Sequence, residues 1–558
     1  MIRKHAEGDV TPTKETAEEG FKRARHPLDI WPDILDLTRA GTADLPKEWA
    51  FRLRWFGLFW EGPRSDTFML RIKLHGGRLT AHQLRGICDL TETHGLPFLD
   101  ITTRQGIQIR GIPIARVPDV FAGLERLGLT SMGSGADNVR NLTACPQAGI
   151  APDELADVTA LVDRLRDLFI GNRDFANLPR KFNIAVAGCG ANCTHPEMHD
   201  IAVQAVRGEG GAVGYALWVG GQPSTSHFVS QDLEVFLAEA EVPRVCAAIV
   251  AVFRDHGDRG SRKTARMGHL IEHWGMEKFR AAVVAELGRP LERARAAFVI
   301  RDQERDPIGV HPQRQAGLHF VGIPFPVGRV TLEQARAIAT LADSHGSGDL
   351  RTTNRQNLLI INVAAGLLNG LLESLDAAAI PYGGSTLRAG VTACSGNTYC
   401  KLATIETKAR ALSIVEHLER EGLGESPLNI ALSACPNTCA NHSTADIGLQ
   451  GCKTKVDGRT VDAFNVFYGG ATGHDVAFGE QVFRQIPGDQ INGYLAYGAR
   501  VFARRRRRGE SFAAFCRRHG AAALEAMFQP QVSPRAPVLR WLAERVVRVS
   551  GDRWTTYV

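Results

Sequence analysis

Eight residues recur at one constant spacing in this chain, and that repeat constrains its fold more than any other feature. The two members of each pair are 251 positions apart: Gly77 and Gly328, Arg78 and Arg329, Thr80 and Thr331, Gln83 and Gln334, His94 and His345, Gly95 and Gly346, Arg104 and Arg355, and Gln105 and Gln356. Chance does not hold one offset over eight identities, so the sequence contains an internal duplication. The repeat continues with small insertions, since NIAVAGCGANC (183–193) aligns with NIALSACPNTC (429–439).

Each half begins with the same order of predicted elements. In the first half these are a strand over 67–74, a helix over 81–94 and an extended segment over 99–112. In the second half a helix over 332–345 precedes the segment 350–363. We therefore expect a pseudo-twofold α+β protein, in which each half combines a split βαβ-like unit with a larger α/β lobe. A large ligand is expected on the pseudo-axis between the halves.

Two cysteine pairs lie in the second half. Cys394 and Cys400 form C-x5-C, and Cys435 and Cys439 form C-x3-C. Between the pairs, apolar residues from Leu402 to Leu418 recur at helical spacing before Gly422. A strand over 429–434 then returns the chain, so both pairs can meet at one end of the helix.

Four thiolates that meet in a chain of this kind suggest a metal site. The spacing favours an iron–sulfur cluster over zinc, because structural zinc usually takes tighter C-x₂₋₄-C pairs on both arms. Asn437 lies within the second pair, in a turn that directs both sulfurs the same way. The alternative is four buried or disulfide-bonded cysteines without a metal.

Composition excludes several classes of protein. The chain has 558 residues, which predicts two to four domains. No apolar run reaches the 18 or so residues of a membrane helix, so no membrane partner is expected. The first residues lack the apolar region of a secretory signal, and eleven unevenly spread cysteines argue against a disulfide framework. These features predict a cytoplasmic protein.

Motifs for nucleotide cofactors are missing from the sequence. It has neither a G-x-G-x-x-G that opens a strand–helix unit nor a P-loop. We therefore expect no nicotinamide or flavin domain, and any electrons must come from a separate carrier. The run Arg504–Arg508 is either a solvated helix face or a docking patch for an acidic protein. Nucleic acid is not expected as a partner, because no aromatic residues accompany the run.

The cysteine pattern, followed by DIGLQGC (446–452), resembles the ferredoxin-dependent nitrite and sulfite reductases. The likeness extends roughly from Trp55 to Gly470 and implies the duplicated fold of that family. That fold has ferredoxin-like split βαβ half-domains and two α/β lobes for sirohaem and a [4Fe–4S] cluster. The resemblance makes Cys394, Cys400, Cys435 and Cys439 the cluster ligands, with Cys439 also the axial ligand of the sirohaem iron.

The resemblance also assigns the basic residues. Arg71, Arg140 and Lys181 match the positions that hold a small oxyanion on the open side of the sirohaem iron, where Lys181, with a lowered pKa, could relay protons. The carboxylates of sirohaem need many cationic partners. The expected cofactor-binding residues are Arg104, Gln105, Arg180, Arg262, Lys263, Arg266, Asn437 and Cys439.

Position 183 suggests the substrate. Sulfite reductases of this family typically have a second lysine after LPRK and an aromatic residue, whereas nitrite reductases have asparagine; here it is Asn183. The resemblance is closest to the assimilatory ferredoxin–nitrite reductases, which implies six-electron reduction of nitrite to ammonia with reduced ferredoxin as donor. Sulfite reduction to sulfide, with the same cofactors, is the alternative.

Two further alternatives belong to other classes: a non-catalytic four-cysteine module, such as a zinc-stapled binding protein, and a relative that uses the same cofactors in tetrapyrrole biosynthesis. A monomer is expected. Cys145, Cys189 and Cys193 mirror three of the cluster ligands and are interpreted as a degenerate trace of the symmetry. The predicted domains are a mobile polar arm (1–44), a first ferredoxin-like half-domain (45–130), a first sirohaem and substrate lobe (131–305), a second half-domain (306–385), a cluster and sirohaem lobe (386–490) and a basic helical segment (491–558).

Overall fold

The structure, a computed structural model, describes residues 15–41, 45–61, 66–294 and 307–530. Four five-stranded sheets and one two-stranded sheet are formed within these residues. Two of the large sheets belong to the ferredoxin-like units and two to the lobes, so the architecture repeats as the duplication predicts. No helix in this part of the chain has the length and apolar character needed to cross a membrane.

The N-terminal segment is helical and packs on the rest of the protein. It contains α1 (Ala17–Ala24), α2 (Trp31–Ala40) and α3 (Lys47–Arg52). Glu19 and Lys22 of α1 are buried, and Lys22 Nζ donates to the carbonyl oxygen of Leu178 at 2.8 Å. The prediction of a mobile polar arm is therefore wrong for residues 15–41, because the polar side chains of α1 face partners on the first lobe. Residues 1–14 and 42–44 of that arm lie outside the described residues.

The first ferredoxin-like unit follows. Its elements are β1 (Leu58–Trp60), β2 (Thr67–Ile72), β3 (Arg78–Thr80), α4 (Ala81–His94), β4 (Phe98–Ile101), β5 (Ile107–Pro113) and α5 (Val117–Arg126). Helix α4 has the predicted bounds, because Thr80 and Gln83 form a capping box at its start. The extended segment predicted over 99–112 is two strands, β4 and β5, joined by a turn.

The first lobe contains a mixed sheet covered by helices. Its elements are β6 (Thr143–Ala144), α6 (Thr159–Phe169), β7 (Ile184–Ala187), β8 (Ile201–Arg207), β9 (Val213–Val219), β10 (Gln222–Pro223), β11 (His227–Phe228), β12 (Gln231–Asp232), α7 (Val242–His256), α8 (Met267–Trp274) and α9 (Met276–Leu287). Strands β6, β7 and β8 are parallel neighbours, and β9 and β12 add antiparallel strands.

The second half repeats this order. Its ferredoxin-like unit consists of β13 (Gly309–Pro312), β14 (Leu318–Ile323), β15 (Arg329–Thr331), α10 (Leu332–His345), β16 (Asp349–Thr352), β17 (Leu358–Ala364) and α11 (Leu368–Ala377). Thr331 and Gln334 form the same capping box as in the first half, and α10 has the predicted bounds.

The second lobe carries the four predicted cluster ligands. It contains α12 (Thr386–Gly390), β18 (Thr392–Ala393), α13 (Gly396–Tyr399), α14 (Lys408–Arg420), β19 (Ile430–Ser433), β20 (Ile447–Val456), β21 (Arg459–Tyr468), β22 (Glu480–Pro487), α15 (Ile491–Arg505), α16 (Phe512–His519) and α17 (Ala521–Phe528). Helix α14 is shorter than predicted, since it begins at Lys408 rather than near Leu402, whose side chain is 62% exposed.

The two ferredoxin-like units exchange a strand. Strand β15 of the second half pairs with β4 of the first, and β3 of the first half pairs with β16 of the second. Helices α4 and α10 pack on each other, and both units share one hydrophobic core that includes Leu84, Ile87 and Ile338. This exchange fixes the two halves against each other, while each lobe keeps a core of its own.

Candidate functional site

The four predicted cluster ligands, Cys394, Cys400, Cys435 and Cys439, line one cavity of about 330 Å³. Cys394 follows β18, and Cys435 and Cys439 follow β19, which is the parallel neighbour of β18. Because parallel strands end at the same edge of a sheet, both pairs leave the sheet side by side. Cys400 reaches the cavity from the end of α13. Cys394, Cys400, Cys435 and Cys439 form no disulfide bonds in this structure, so the disulfide alternative is wrong for these four.

The surroundings of these thiols suit metal ligation. Burial raises the pKa of the Cys394 thiol to about 11, so a thiolate at this position needs a compensating positive charge. The backbone N–H of Ala434 donates to Cys394 Sγ at 3.2 Å, and Asn437 hydrogen-bonds Cys435 through its backbone and its side chain. Such hydrogen bonds to sulfur are typical of iron–sulfur sites.

A mononuclear site is not formed in the described part of the chain. No group of three or more His, Cys, Asp or Glu side chains there is placed to hold a single metal ion. Zinc bound by four thiolates needs Zn–S distances of about 2.3 Å and therefore closely packed sulfurs. Four thiols that share one cavity supply the ligand set of a [4Fe–4S] cluster.

The opposite wall of the cavity is cationic. Arg71, Arg104, Arg140 and Lys181 all line it together with the cysteines. Arg71 Nη1 and Arg140 Nη1 both donate to the carbonyl oxygen of Ser134, at 3.3 and 2.8 Å. This shared acceptor holds the two guanidinium groups side by side. The structure thus brings together all three residues predicted to hold the substrate and all four predicted cluster ligands.

The four cations strongly perturb one another. Burial and the nearby Arg104 lower the pKa of Arg71 to about 10. Burial and the charges of Arg104 and Arg266 hold the pKa of Lys181 well below its usual value, as the sequence predicts. Arg71 Nε is buried and has no hydrogen-bond partner among the described residues. A wall of this kind is built to receive an anion, because unpaired buried cations are otherwise costly.

Asn183 lies beside this wall without lining the large cavity. It borders a small adjoining pocket that also contains Arg104, Lys181 and Arg266. Its Nδ2 donates to Asp200 Oδ2 at 3.1 Å, and its Oδ1 accepts from Arg104 Nε at 3.1 Å. The Asn183 amide therefore orients Arg104, and its Nδ2 group is already hydrogen-bonded to the carboxylate of Asp200.

The other predicted cofactor-binding residues divide into two groups. Arg104 and Asn437 line the cavity, and Arg266 borders the small pocket while it donates to both carboxylate oxygens of Asp200, at 2.9 and 2.8 Å. Arg180, Arg262 and Lys263 line neither space; Lys263 is exposed, and the other two face Asp137.

Gln105, one of the predicted cofactor-binding residues, bonds to the protein backbone instead of facing the cavity. Its Nε2 donates to the carbonyl oxygens of Ala144 and Thr352, at 2.9 and 3.0 Å, and its Oε1 accepts from Ala144 N. Its symmetry mate Gln356 makes the corresponding bonds to Ile101 O and Ala393 N. Gln105 therefore joins the first unit to the lobe and to the second unit, and does not line the cavity.

Several cavity residues were not predicted. Lys73, two residues after Arg71 on the same strand face, could have been found from the alternation of strand side chains. The remaining charged lining residues come from separate parts of the chain: Arg54, Glu61, Asp100, Arg110, Lys401 and Lys408. Asp100 forms salt bridges with Arg110 and Arg329, at 2.7 and 3.0 Å. No local sequence pattern reveals this network.

Comparison with known proteins decides the family. The model of the nitrite and sulphite reductase 4Fe-4S domain matches residues 135–291 and 383–532. That of the nitrite/sulfite reductase ferredoxin-like half domain matches residues 62–127 and 311–378. The chain belongs to the nitrite and sulphite reductase family. It carries the 4Fe-4S domain of that family, and its α+β fold is the family's duplicated fold with two ferredoxin-like half-domains.

Individual relatives agree with this assignment. The ferredoxin–nitrite reductase of Synechococcus elongatus is 38% identical over 490 residues, which cover 86% of this chain and 95% of the relative. The assimilatory ferredoxin-dependent nitrite reductase of Haloferax mediterranei is 34% identical, with 87% of each chain covered. The solved structure of the Mycobacterium tuberculosis NirA protein superimposes with a TM-score of 0.86 at 32% identity, over 91% of this chain and 97% of that one.

Proposed function

We propose that the protein reduces nitrite to ammonia with six electrons from reduced ferredoxin, using sirohaem and a [4Fe–4S] cluster in the cavity described above. The observation that carries the proposal is the meeting of four cysteine thiols and four buried cations in one cavity. Relatives named as ferredoxin–nitrite reductases, at 34–38% identity over most of the chain, support the same activity.

The residues fit the proposed cofactors. Cys394, Cys400, Cys435 and Cys439 would supply the four thiolates of a [4Fe–4S] cluster, and Cys439 would also bind the sirohaem iron. The carboxylates of sirohaem would pair with Arg104 and Arg266. Asn437 lies nearby, because it borders both the cavity and the small pocket. When bound, the two groups store electrons from a one-electron carrier and deliver them to the substrate.

Arg180, Arg262 and Lys263 support the cofactor only indirectly in this proposal. Arg262 and Arg180 face Asp137, which lies in the segment that leads to Arg140. Their task is then to fix the wall of the site. Lys263 remains a surface residue to which the geometry gives no cofactor contact.

Nitrite would be held by Arg71, Arg140 and Lys181. The guanidinium groups of Arg71 and Arg140, held side by side by the carbonyl oxygen of Ser134, would donate to the nitrite oxygens. Fixed donors of this kind stabilise negative charge that builds up as electrons arrive. Lys181 is the side chain of the three best suited to donate protons to the substrate. Burial lowers its pKa, so it releases its proton more readily than an exposed lysine.

Asn183 supports nitrite over sulfite. It adds no charge to the wall, and it holds Arg104 in place by accepting from Arg104 Nε. A smaller monoanion needs fewer cations than sulfite, which is mostly a dianion near neutral pH. Sulfite reductase remains the second candidate, since the matching family model covers both enzymes. Monomeric state and the absence of nucleic-acid partners remain predictions.

Cofactor content tests the proposal most simply. Protein prepared with iron and sirohaem supply should be coloured and contain four cluster irons, four labile sulfides and one further iron in sirohaem per chain. A colourless protein that binds one zinc ion would instead identify a four-cysteine binding module. Cluster without sirohaem would contradict the proposed active site while keeping the cysteine assignment.

A further inference from the structure

A second cavity adjoins the cysteine-lined cavity proposed above as the catalytic cavity, and the side chain of Lys73 borders both. The second one is an open cleft of about 380 Å³. Its lining includes Lys73 and His75 together with the exposed residues Thr80 and Gly128, so it reaches the protein surface. Lys73 also lines the catalytic cavity. The Lys73 side chain therefore separates the site of nitrite reduction from a route to solvent.

Arg71, Lys73 and His75 alternate along the chain, with Ile72 and Leu74 between them buried in the hydrophobic core. Alternate residues of an extended segment lie on one face, about 7 Å apart. Three titratable or cationic side chains thus form a row, which begins at the proposed substrate site and ends in the open cleft. This spacing can be bridged by single water molecules.

Neither Lys73 nor His75 is held by a strong structural partner. Lys73 Nζ makes one long hydrogen bond, to Val139 O at 3.4 Å, and no carboxylate pairs with it among the described residues. Both ring nitrogens of His75 are buried and lack a hydrogen-bond partner in the same part of the chain. A buried imidazole with two open nitrogens is costly to fold, unless water in the cleft completes its bonding.

We propose that Lys73 and His75 form a proton relay from this cleft to the catalytic cavity. The inference rests on the proposed function, because reduction of one nitrite consumes six electrons and eight protons and yields ammonium and two waters. The carrier supplies the electrons, and the protons must come from solvent. Lys73 gives a proton through water to a substrate oxygen and regains one from His75, which takes its own from the cleft.

The charges around the row suit this task. Burial and the nearby Arg140 lower the pKa of Lys73 to about 7, so Lys73 can both release and regain a proton near neutral pH. Burial and the charges of Lys73, Arg166 and Arg78 keep the pKa of His75 well below its usual value. His75 is therefore a neutral imidazole that accepts a proton at one nitrogen while it donates from the other.

The other charged groups that line the cleft belong to β3, α6 and β16. Across the cleft, α6 contributes Asp163 and Arg166, and β16 contributes Asp349 and Arg351. Arg78 and Arg166 both pair with Asp163. On the side of the cysteine-lined cavity, the charged group nearest to act on Lys73 is Arg140, which lines the same cavity.

The test is a set of variants in the cofactor-loaded enzyme. His75→Gln keeps a polar side chain but cannot relay a proton, and His82→Gln, at an exposed position one residue before the cleft residue Gln83, is the matched control. We expect His75→Gln to lower kcat by about tenfold and to raise the solvent deuterium isotope effect. Added imidazole should restore kcat, because the cleft is open. The nitrite affinity, read from the visible spectrum without turnover, should stay at the wild-type value.

Lys73→Met and Lys73→Arg keep the proposal testable if His75→Gln fails to fold. Both should lower kcat with unchanged nitrite affinity, and Arg should not rescue because it does not release its proton. Unchanged kcat in the His75 and Lys73 variants, or a loss that imidazole does not repair in His75→Gln, overturns the relay. A wild type that reduces neither nitrite nor sulfite overturns the proposed function instead, and this is measured first on the same preparation.

Discussion

Arg262 donates to both carboxylate oxygens of Asp137, at 2.5 and 2.9 Å. The same carboxylate lies 3.5 Å from Lys22 of α1 and 3.8 Å from Arg180. Asp137 is buried, and it is shared by three cations from distant parts of the sequence, of which Lys22 also pairs with Glu19. The pair therefore fixes the N-terminal helix and the loop before Arg140 to the first lobe.

The first prediction concerns this anion. Asp137→Asn removes the ion-pair partner of Arg262 and one of the two acids that pair with Lys22, the other being Glu19, and should lower the free energy of unfolding by about 3 kcal/mol. Thermal or urea unfolding measures the loss. Asp36→Asn, at an exposed pair with Arg39, is the control and should change stability by less than about 0.5 kcal/mol. Equal effects of the two variants would contradict the role given to Asp137.

The second prediction is that the stabilisation by Asp137 is lost in acid. Burial favours the protonated form, but the hydrogen bonds from Arg262 and the charge of Lys22 hold the pKa of Asp137 below its usual value. A lowered pKa gives stabilisation that is present above the unfolded value, about 3.9, and is lost as the pH falls through the folded value. The difference in unfolding free energy between the wild type and Asp137→Asn should therefore shrink below about pH 4. A difference that is constant from pH 7 to pH 3 would contradict the assignment.

The third prediction addresses the cysteines. Cys439→Ser or Cys435→Ala should remove the cluster and sirohaem together, because one thiolate is proposed to join them. Iron, labile sulfide and visible absorbance measure the loss. Cys452→Ser is the matched control, since Cys452 lies in the same lobe on β20 and does not line the cavity. A Cys439 variant with normal sirohaem absorbance and activity would rule out the bridging role.

The fourth prediction concerns Arg504–Arg508. Arg504 and Arg505 end α15, and all five side chains of the run are exposed. If the run docks an acidic carrier, serine replacements should raise the KM for ferredoxin several-fold and weaken its salt dependence. Activity with a small artificial donor should not change. Lys401→Glu is the comparison, because Lys401 lies beside Cys400 at the cavity; if it alone affects ferredoxin, the carrier docks there.

Local signals predicted the helices α4 and α10 and the meeting of the two cysteine pairs. The bounds of α4 and α10 follow from capping boxes written into the sequence, and the meeting of the cysteine pairs follows from β18 and β19. Lys22 could not be placed, because its buried partner Asp137 is 115 residues away. The exchange of strands between the halves could not be predicted either. The sequences of β3 and β15 mark them as strands but do not tell which of the two sheets each strand joins.

The site residues show the same limit. Residue type and family likeness brought Arg71, Arg140 and Lys181 to the right cavity. They could not tell an arginine that faces a ligand from one that faces the protein's own carboxylate, as Arg262 does. For Arg262 that distinction depends on Asp137, an acid 125 residues away in the sequence.

The fifth prediction tests position 183. Asn183→Lys puts a cation beside Arg104 and Lys181, partly compensated by Asp200, to which Asn183 now donates. At an effective dielectric of about 20, a charge about 4 Å from an anion contributes roughly 4 kcal/mol before desolvation, and a dianion gains about twice as much as a monoanion. The ratio of kcat/KM for sulfite to that for nitrite should rise by about tenfold. Asn183→Met, neutral and of similar length, is the control; an unchanged ratio in the lysine variant would make Asn183 a bystander.

The central claim is tested most directly by steady-state reduction of both anions with one preparation of known sirohaem content. A reduced low-potential one-electron donor is supplied without oxygen, and nitrite, sulfite, ammonia, sulfide and oxidised donor are all counted. The account predicts a higher kcat/KM for nitrite, with six donor molecules oxidised for each ammonia formed. A higher kcat/KM for sulfite, or donor oxidation by nitrite without ammonia, would contradict it.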